Sequence, residues 1–257
     1  LDMNAQVTLR TDGSRLCLGG LSYGQERSAT LRAGLPSADG DKLERNETIT
    51  LTFDDRPPVV TFAGSGVILP RIDADGLALT TVNVDEVEVR ISRVVDRALI
   101  FRSITEGFSS GEGQYDYSGD RPYELGTELW TGRVTTAGPT NATKTTVFPI
   151  VDAIGELEPG AYYVEIIDAG ALDREVRRPA QAGRWVIVTD LAFTAYRGDG
   201  GLDATMRSLQ TGVPLSNVKI QLVARSNEVL AETTTDSSGH LSFSAALMNG
   251  DGGNSPR

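Results

Sequence analysis

The chain has 257 residues, with hydrophobic residues at 39% and charged residues at 23%, the balance of a globular protein able to bury a core. Its net charge of −11 and pI of about 4.6 exclude a phosphate-binding surface, because an acidic face repels nucleic acid and anionic membranes and gains nothing from counterion release. One cysteine excludes an internal disulfide and a cysteine cluster for zinc or iron–sulfur.

In chain order the recurrent signal is the strand. The opening residues LDMNAQVTLR have neither a basic n-region nor an apolar h-region, so they do not read as a signal peptide. Cys17, in RLCLGG, is flanked by Leu16 and Leu18 and reads as a small buried hydrophobe, since a reactive thiolate needs neighbouring cations or a helix N-terminus. ETITLTF reads as a strand and is followed by Asp54-Asp55-Arg56-Pro57-Pro58. The diproline cannot donate to a ladder and stiffens a crossover, so a first domain is expected to end at 57.

Strands are then expected at 60–70, 84–94, 161–170, 184–190, 191–198, 217–225 and within 230–243. Val87, Val89 and Ile91 alternate with polar residues, as do Val218, Ile220 and Leu222, and these six are the expected inward positions of two cores. Turn signals separate the runs: TDGS, SADGD, DADG, EPGA, RGDGG, TGVP and DSSG. A short helix is expected around 97–105. Residues 107–126, rich in Gly, Ser, Asp and Tyr, read as a long surface loop. A second seam is expected at Arg177–Gly183, just before RWVIVTD.

The fold class is therefore all-β, a tandem of immunoglobulin-like antiparallel β-sandwiches. The expected domains are 1–57, a partial domain; 58–183, a complete sandwich carrying loop 107–126; and 184–257, a sandwich truncated at its C-terminus. Only the middle segment is long enough for the roughly 100 residues of an immunoglobulin-type sandwich. It also carries most of the charge, with 19 acidic against 11 basic residues.

Candidate chemistry resolves as turns. His240, the single histidine, lies in TDSSGHLSF beside Asp236 and Ser237. A triad draws its members from separate elements, and no G-x-S-x-G elbow is present, so His240 reads as a residue of a strand–turn–strand hairpin facing away from Leu241 and Phe243. Asp73-Ala74-Asp75-Gly76 resembles part of a calcium loop, but aligning Gly76 with its sixth position puts Arg71 first and Val82 last, where carboxylates are needed. Asp199-Gly200-Gly201 and Asp251-Gly252-Gly253 likewise read as turns. No catalytic, cofactor-binding or metal-ligating residue is assigned, no cofactor is expected, and the chain is not read as an enzyme.

The ordered set LCLGGLSYGQERSATLRAGLPSADGDKL, DDRPPVVTFAGSGVILPR, TTVNVDEVEVRISRVVDRALI and RWVIVTDLAFTAYRGDGGLDATMRSLQTGVPLSNVKIQLVARSNEVLAETTTDSSGHLSF resembles the N-terminal half of bacterial alpha-2-macroglobulin family proteins. That resemblance implies macroglobulin-like β-sandwiches forming the scaffold of a periplasmic protease inhibitor, anchored to the inner membrane through an N-terminal lipid outside this chain. The implied partners are the other macroglobulin domains of a parent chain and target proteases. The family's thioester needs a cysteine followed closely by Glu-Gln; Cys17 is followed by Leu18-Gly19-Gly20-Leu21, so no thioester residue is carried over. An alternative reading is an adhesin or carbohydrate-binding sandwich that stacks sugars on Tyr115, Tyr117, Tyr123 and Trp130.

Overall fold

The computed structural model describes residues 8–13, 15–37, 39–64, 68–70, 76–97, 100, 126–155 and 157–256. Two antiparallel hairpins come first, β1 (Thr8–Asp12) with β2 (Arg15–Gly19) and β3 (Gln25–Leu31) with β4 (Glu47–Phe53). None of the described residues in 8–57 is buried, and Leu9, Leu16 and Ile49 are exposed. Among the described residues these four strands therefore draw little stabilisation from burial, since hydrophobic stabilisation scales with the apolar area removed from water. Cys17 is only half-buried on this hairpin, a correction to the expected core position. Of its flanking leucines, Leu16 is exposed and Leu18 half-buried.

The middle sandwich comprises β5 (Val59–Phe62), β6 (Ile68–Pro70), β7 (Leu77–Val82), β8 (Glu86–Val94), β9 (Thr127–Thr135), β10 (Thr143–Phe148), β11 (Gly160–Asp168) and β12 (Gln181–Thr189). Short helices α1 (Ile150–Ile154) and α2 (Ala169–Asp173) lie between its last strands. One sheet has the order β10-β7-β5 and the other β6-β12-β11-β8-β9. The pairings are antiparallel except β6 with β12, which is parallel.

Alternation in β8 does what its period requires: Val87, Val89 and Ile91 are fully buried and face Leu79, Phe62 and Phe148 of the opposite sheet within one core. Tyr162, Val164 and Ile166 of β11 complete that core. At about 1.5–3 kcal/mol for each large apolar side chain buried, this layer carries most of the stability of the chain. The outer face of the five-stranded sheet is also largely closed. There Arg90 contacts Glu88 at 2.6 Å and lies 3.9 Å from the carboxylate of the buried Glu165.

The third unit has β13 (Leu191–Gly198), β14 (Gly201–Ser208), β15 (Lys219–Val223), β16 (Val229–Thr234) and β17 (His240–Ser244), in sheets ordered β13-β14-β17 and β15-β16. Its core is small: Ala204, Leu222, Leu241, Phe243 and Met248, with the half-buried Ile220 packed against them.

Two expectations are corrected here. RWVIVTD does not open the third unit. It is the body of β12, paired to β11 along its length, and Arg184 lies 4.7 Å from the Phe62 ring centroid while donating to the carbonyls of Ala63 and Gly64. The seam at 177–183 therefore moves to Asp190, because the apolar face of this strand is needed to close the middle core. TDSSG is not a hairpin within one sheet either: β16 pairs with β15 and β17 with β14, so the turn carries the chain from one layer to the other. The helix expected at 97–105, apart from Arg97 and Ile100, and the loop 107–126, apart from Gly126, lie outside the described residues.

Candidate functional site

The residues singled out for chemistry are dispersed. His240 Nε2 lies 3.3 Å from Asp203 Oδ1 on the neighbouring strand β14, with both side chains substantially exposed. Asp236 is otherwise engaged. Its Oδ1 accepts from Ser238 Oγ at 2.7 Å and from the backbone N–H groups of Ser238 and His240 at 2.8 and 2.9 Å. The Ser238 hydroxyl first, and then those N–H groups, hold the Asp236 carboxyl below its ordinary value of 3.8. This is an Asx turn that orders the layer crossing. Asp199 and Gly200 form the two-residue turn between β13 and β14, and Asp251 precedes a single 3₁₀ turn at Gly252–Asn254. Asp73, Ala74 and Asp75 lie outside the described residues, as do Tyr115, Tyr117 and Tyr123. Trp130 does not project as a stacking platform. It sits on β9 with its ring 5.3 Å from that of Phe148, packed on the middle core. Among the described residues no group of three or more His, Cys, Asp or Glu could hold a metal ion.

The built polar sites are the two junctions between units. At the first, Asn83 and Asn141 both occupy the left-handed region, φ 51° and 64°, which asparagine tolerates better than other side-chain-bearing residues. Each turns its amide toward the crossover of residues 54–58. Asn83 Nδ2 donates to the Arg56 carbonyl at 2.7 Å and to Asn141 Oδ1 at 3.0 Å, and Asn83 Oδ1 accepts from the Asn141 backbone N–H at 2.6 Å. Asn141 Oδ1 also accepts from the Arg56 backbone N–H at 2.7 Å, and its Nδ2 donates to Asp55 Oδ1, again at 2.7 Å. The Arg56 guanidinium reaches the Asn141 carbonyl and Thr143 Oγ1, both at 3.3 Å, and lies 6.0 Å from the Tyr23 ring.

Gly24 closes the cluster from the first unit. At φ +66° it approaches so near that an added Cβ would stand 2.5 Å from Asp55 Oδ1. Every hydrogen-bonding atom of the two amides that a partner can reach is used, which makes the crossover a fixed bracket.

At the second junction the crossover shrinks to one residue, Asp190, between β12 and β13. Its Oδ1 accepts from Ser208 Oγ and the Gln210 N–H at 3.0 Å each, and its carbonyl accepts from the Leu209 N–H at 2.7 Å. Arg97 of the middle unit spans to the third: Nε and Nη2 donate to Oδ1 and the carbonyl of Asn227 at 2.9 and 2.8 Å, and Nη1 donates to Gln221 Oε1 at 3.1 Å. A planar guanidinium held at three points fixes an orientation, which a single ion pair would not.

Residues 61–178 match the model of the bacterial alpha-2-macroglobulin MG2 domain and residues 188–257 match that of the MG3 domain. The chain belongs to the bacterial alpha-2-macroglobulin family. The first match ends at 178 and the second begins at 188, so most of β12 (Gln181–Thr189) falls between them and the Asp190 crossover lies just inside the second. The alpha-2-macroglobulin of Escherichia coli strain K12 is 25% identical over 203 residues, 77% of this chain and 12% of that protein. That of Xylella fastidiosa strain 9a5c is 26% identical over 226 residues, 86% and 13% respectively. The chain thus spans about an eighth of the length of these curated relatives.

Among solved structures, the Salmonella alpha-2-macroglobulin reacted with methylamine aligns at a TM-score of 0.64 and 23% identity, covering 90% of this chain and 13% of that one. A native Escherichia coli fragment spanning domains MG0-NIE-MG1 aligns at 0.60 and 23%, covering 89% and 70%. These likenesses support the fold.

Sequence reasoning found the first crossover through its diproline but not the residues that hold it. Asn83 and Asn141 lie 58 positions apart and neither sits in a motif. An isolated asparagine after a strand is the one available hint, and it applies to many turns.

Proposed function

We propose that this chain is a shape-holding segment of a bacterial protease trap, an endopeptidase inhibitor in which tandem macroglobulin sandwiches keep the remaining domains in a defined arrangement. The observation that carries the reading is the tandem of two family domains joined through the single residue Asp190 and preceded by a five-residue crossover, each crossover clamped by side-chain hydrogen bonds. A relative whose structure is that of trypsin-activated alpha-2-macroglobulin from Escherichia coli aligns at a TM-score of 0.57 over 73% of this chain, which supports serine proteases as the partner class. We read the chain itself as non-enzymatic, with other macroglobulin domains of its parent as its immediate partners. The periplasm, with attachment through a lipid on the parent, is the proposed location. No described helix is long and apolar enough to cross a membrane.

Of the four aromatics of the carbohydrate-binding alternative, Trp130 packs against Phe148, and Tyr115, Tyr117 and Tyr123 lie outside the described residues. The test is to measure trypsin cleavage of a protein substrate with and without the full-length polypeptide, and with its Asn83→Ala/Asn141→Ala variant. Inhibition by the parent, weakened several-fold in the variant, is the expected result. Undiminished proteolysis at a molar excess of the parent would overturn the reading. Cell fractionation with detergent extraction checks the location.

A further inference from the structure

β13 is an edge strand with little to blunt it. It stands at the end of the sheet ordered β13-β14-β17, and among the described residues no strand pairs with its other side. An open row of N–H and C=O groups templates further pairing, so edges are normally protected by charge, proline or a bulge. β9, the edge of the five-stranded sheet, has such protection in Glu128, Arg133 and an irregular register against β8. β13, LAFTAYRG, runs in unbroken register with no proline and no carboxylate, in a chain of net charge −11. Its one charge, on Arg197, is drawn to the Met248 carbonyl at 2.8 Å.

The phase of the ladder shows which groups face the open side. The Leu209 N–H donates to the Asp190 carbonyl at 2.7 Å, so the hydrogen-bonded pairs with β14 recur at Ala192, Thr194, Tyr196 and Gly198. The main-chain groups of Leu191, Phe193, Ala195 and Arg197 therefore point away from β14. The Leu191 N–H confirms the phase by donating to Thr189 Oγ1 at 3.0 Å. Alongside these groups stand exposed side chains, Phe193 at 51% and Tyr196 at 72%.

The order of the side chains selects the occupant. Thr194 is the midpoint of Leu191–Arg197, and a twofold axis through it lays an identical strand antiparallel to β13. Phe193 then falls opposite Ala195 of the second copy and Tyr196 opposite Ala192, so each ring lies against a methyl group. At the axis two threonines oppose each other, a favourable cross-strand pair. Only this axis pairs all four outward residues with outward residues of the second copy; moving it to Phe193 or to Ala195 leaves one of them beyond the ladder.

We propose that β13 is a self-association edge, at which two copies of the parent protein join their third units into one continuous sheet about a twofold axis at Thr194. The inference does not depend on protease trapping, only on the ladder and sequence of β13.

The test is sedimentation velocity of the full-length polypeptide, as parent, Thr194→Lys and Thr194→Glu. A single added strand makes a small interface, so the parent should form a reversible dimer with a dissociation constant of roughly 10–100 μM. Thr194 is exposed, and both variants should melt within about 2 °C of the parent. Each alone places like charges directly opposite one another and should weaken the dimer at least tenfold. Mixing the two variants places Lys opposite Glu and should restore association at least to the parent's level, which a damaged third unit could not do. A parent that stays monomeric up to several hundred μM, taken as roughly tenfold above that constant, would overturn the proposal. So would a dimer that neither variant weakens, or one that mixing fails to restore. Protease inhibition is read separately, so its absence leaves this result interpretable.

Discussion

Asn141→Ala is the sharpest probe of the bracket between the first and middle units. It removes three side-chain hydrogen bonds: those accepted from the Arg56 N–H at 2.7 Å and from Asn83 Nδ2 at 3.0 Å, and the one donated to Asp55 at 2.7 Å. The contacts of its own backbone N–H and carbonyl survive. At a net of about 1 kcal/mol per bond, discounted because Asp55 is exposed and rehydrates, the loss is about 2 kcal/mol. Alanine at φ 64° adds roughly 1 kcal/mol of backbone cost that asparagine largely avoids. The expected total is about 3 kcal/mol.

Asn141→Gly separates the two contributions, since it loses the same bonds but adopts the conformation freely, and should cost about 2 kcal/mol. The assay is urea unfolding followed by tryptophan fluorescence. Both tryptophans, Trp130 and Trp185, lie on strands of the middle sandwich, so the signal reports that unit without labelling. If both variants unfold within 0.5 kcal/mol of the parent, taken as about the error of such measurements, the amides bridge surfaces that need no bridging and the bracket argument fails.

Three further outcomes follow from the packing. Val89→Asp, at a fully buried position of β8, should cost about 4 kcal/mol or more by leaving a carboxylate in the core, whereas Ile220→Asp, only half-buried, should cost less; parent-like near-ultraviolet dichroism and melting in both would refute the assigned register. Arg97→Ala should uncouple the middle and third units, seen as faster amide exchange around Asn227 with the melting of the middle unit unchanged, and identical exchange would show that the clamp carries no coupling.

Asp236 makes the layer crossing acid-labile. Its folded value is depressed, so its stabilisation is present above the ordinary carboxylate value of 3.8 and is lost as pH falls through the lower folded value. The stability gap between parent and Asp236→Asn should therefore be full at neutral pH and shrink below about pH 4. A gap independent of pH would show that the Asx turn does not act through its charge.

Much of the fold was legible in the residues. Strong alternation in EVEVRISRV, and the apolar run of AYYVEIID, announce strands whose buried faces are those observed, and LAFTAYRG coincides with β13 from end to end. Strands without that signature were not anticipated. β9, TELWTGRVT, lies at a sheet edge and needs only one apolar face in part. β14, GLDATMRS, alternates Leu202, Ala204 and Met206 with polar residues, but over a run short enough that the turn-rich RGDGG before it masked the signal. Trp130 was placed near a loop for the same reason, and its contact with Phe148 depends on β10 crossing above β9 in the other layer.

Residue order alone determined that this chain builds β-sandwiches, which alternate residues turn inward, and that no cluster of reactive side chains is spelled out by spacing. Family membership, too, was carried by motifs in order. Only the tertiary structure decided which strand joins which sheet: that RWVIVTD completes the middle core, that β17 leaves β16 for β14, and that Asn83 and Asn141 meet over Arg56. A period of two specifies faces, because it is a property of one strand. Edges and partners are properties of two strands brought together from distant positions, and no single strand contains that information.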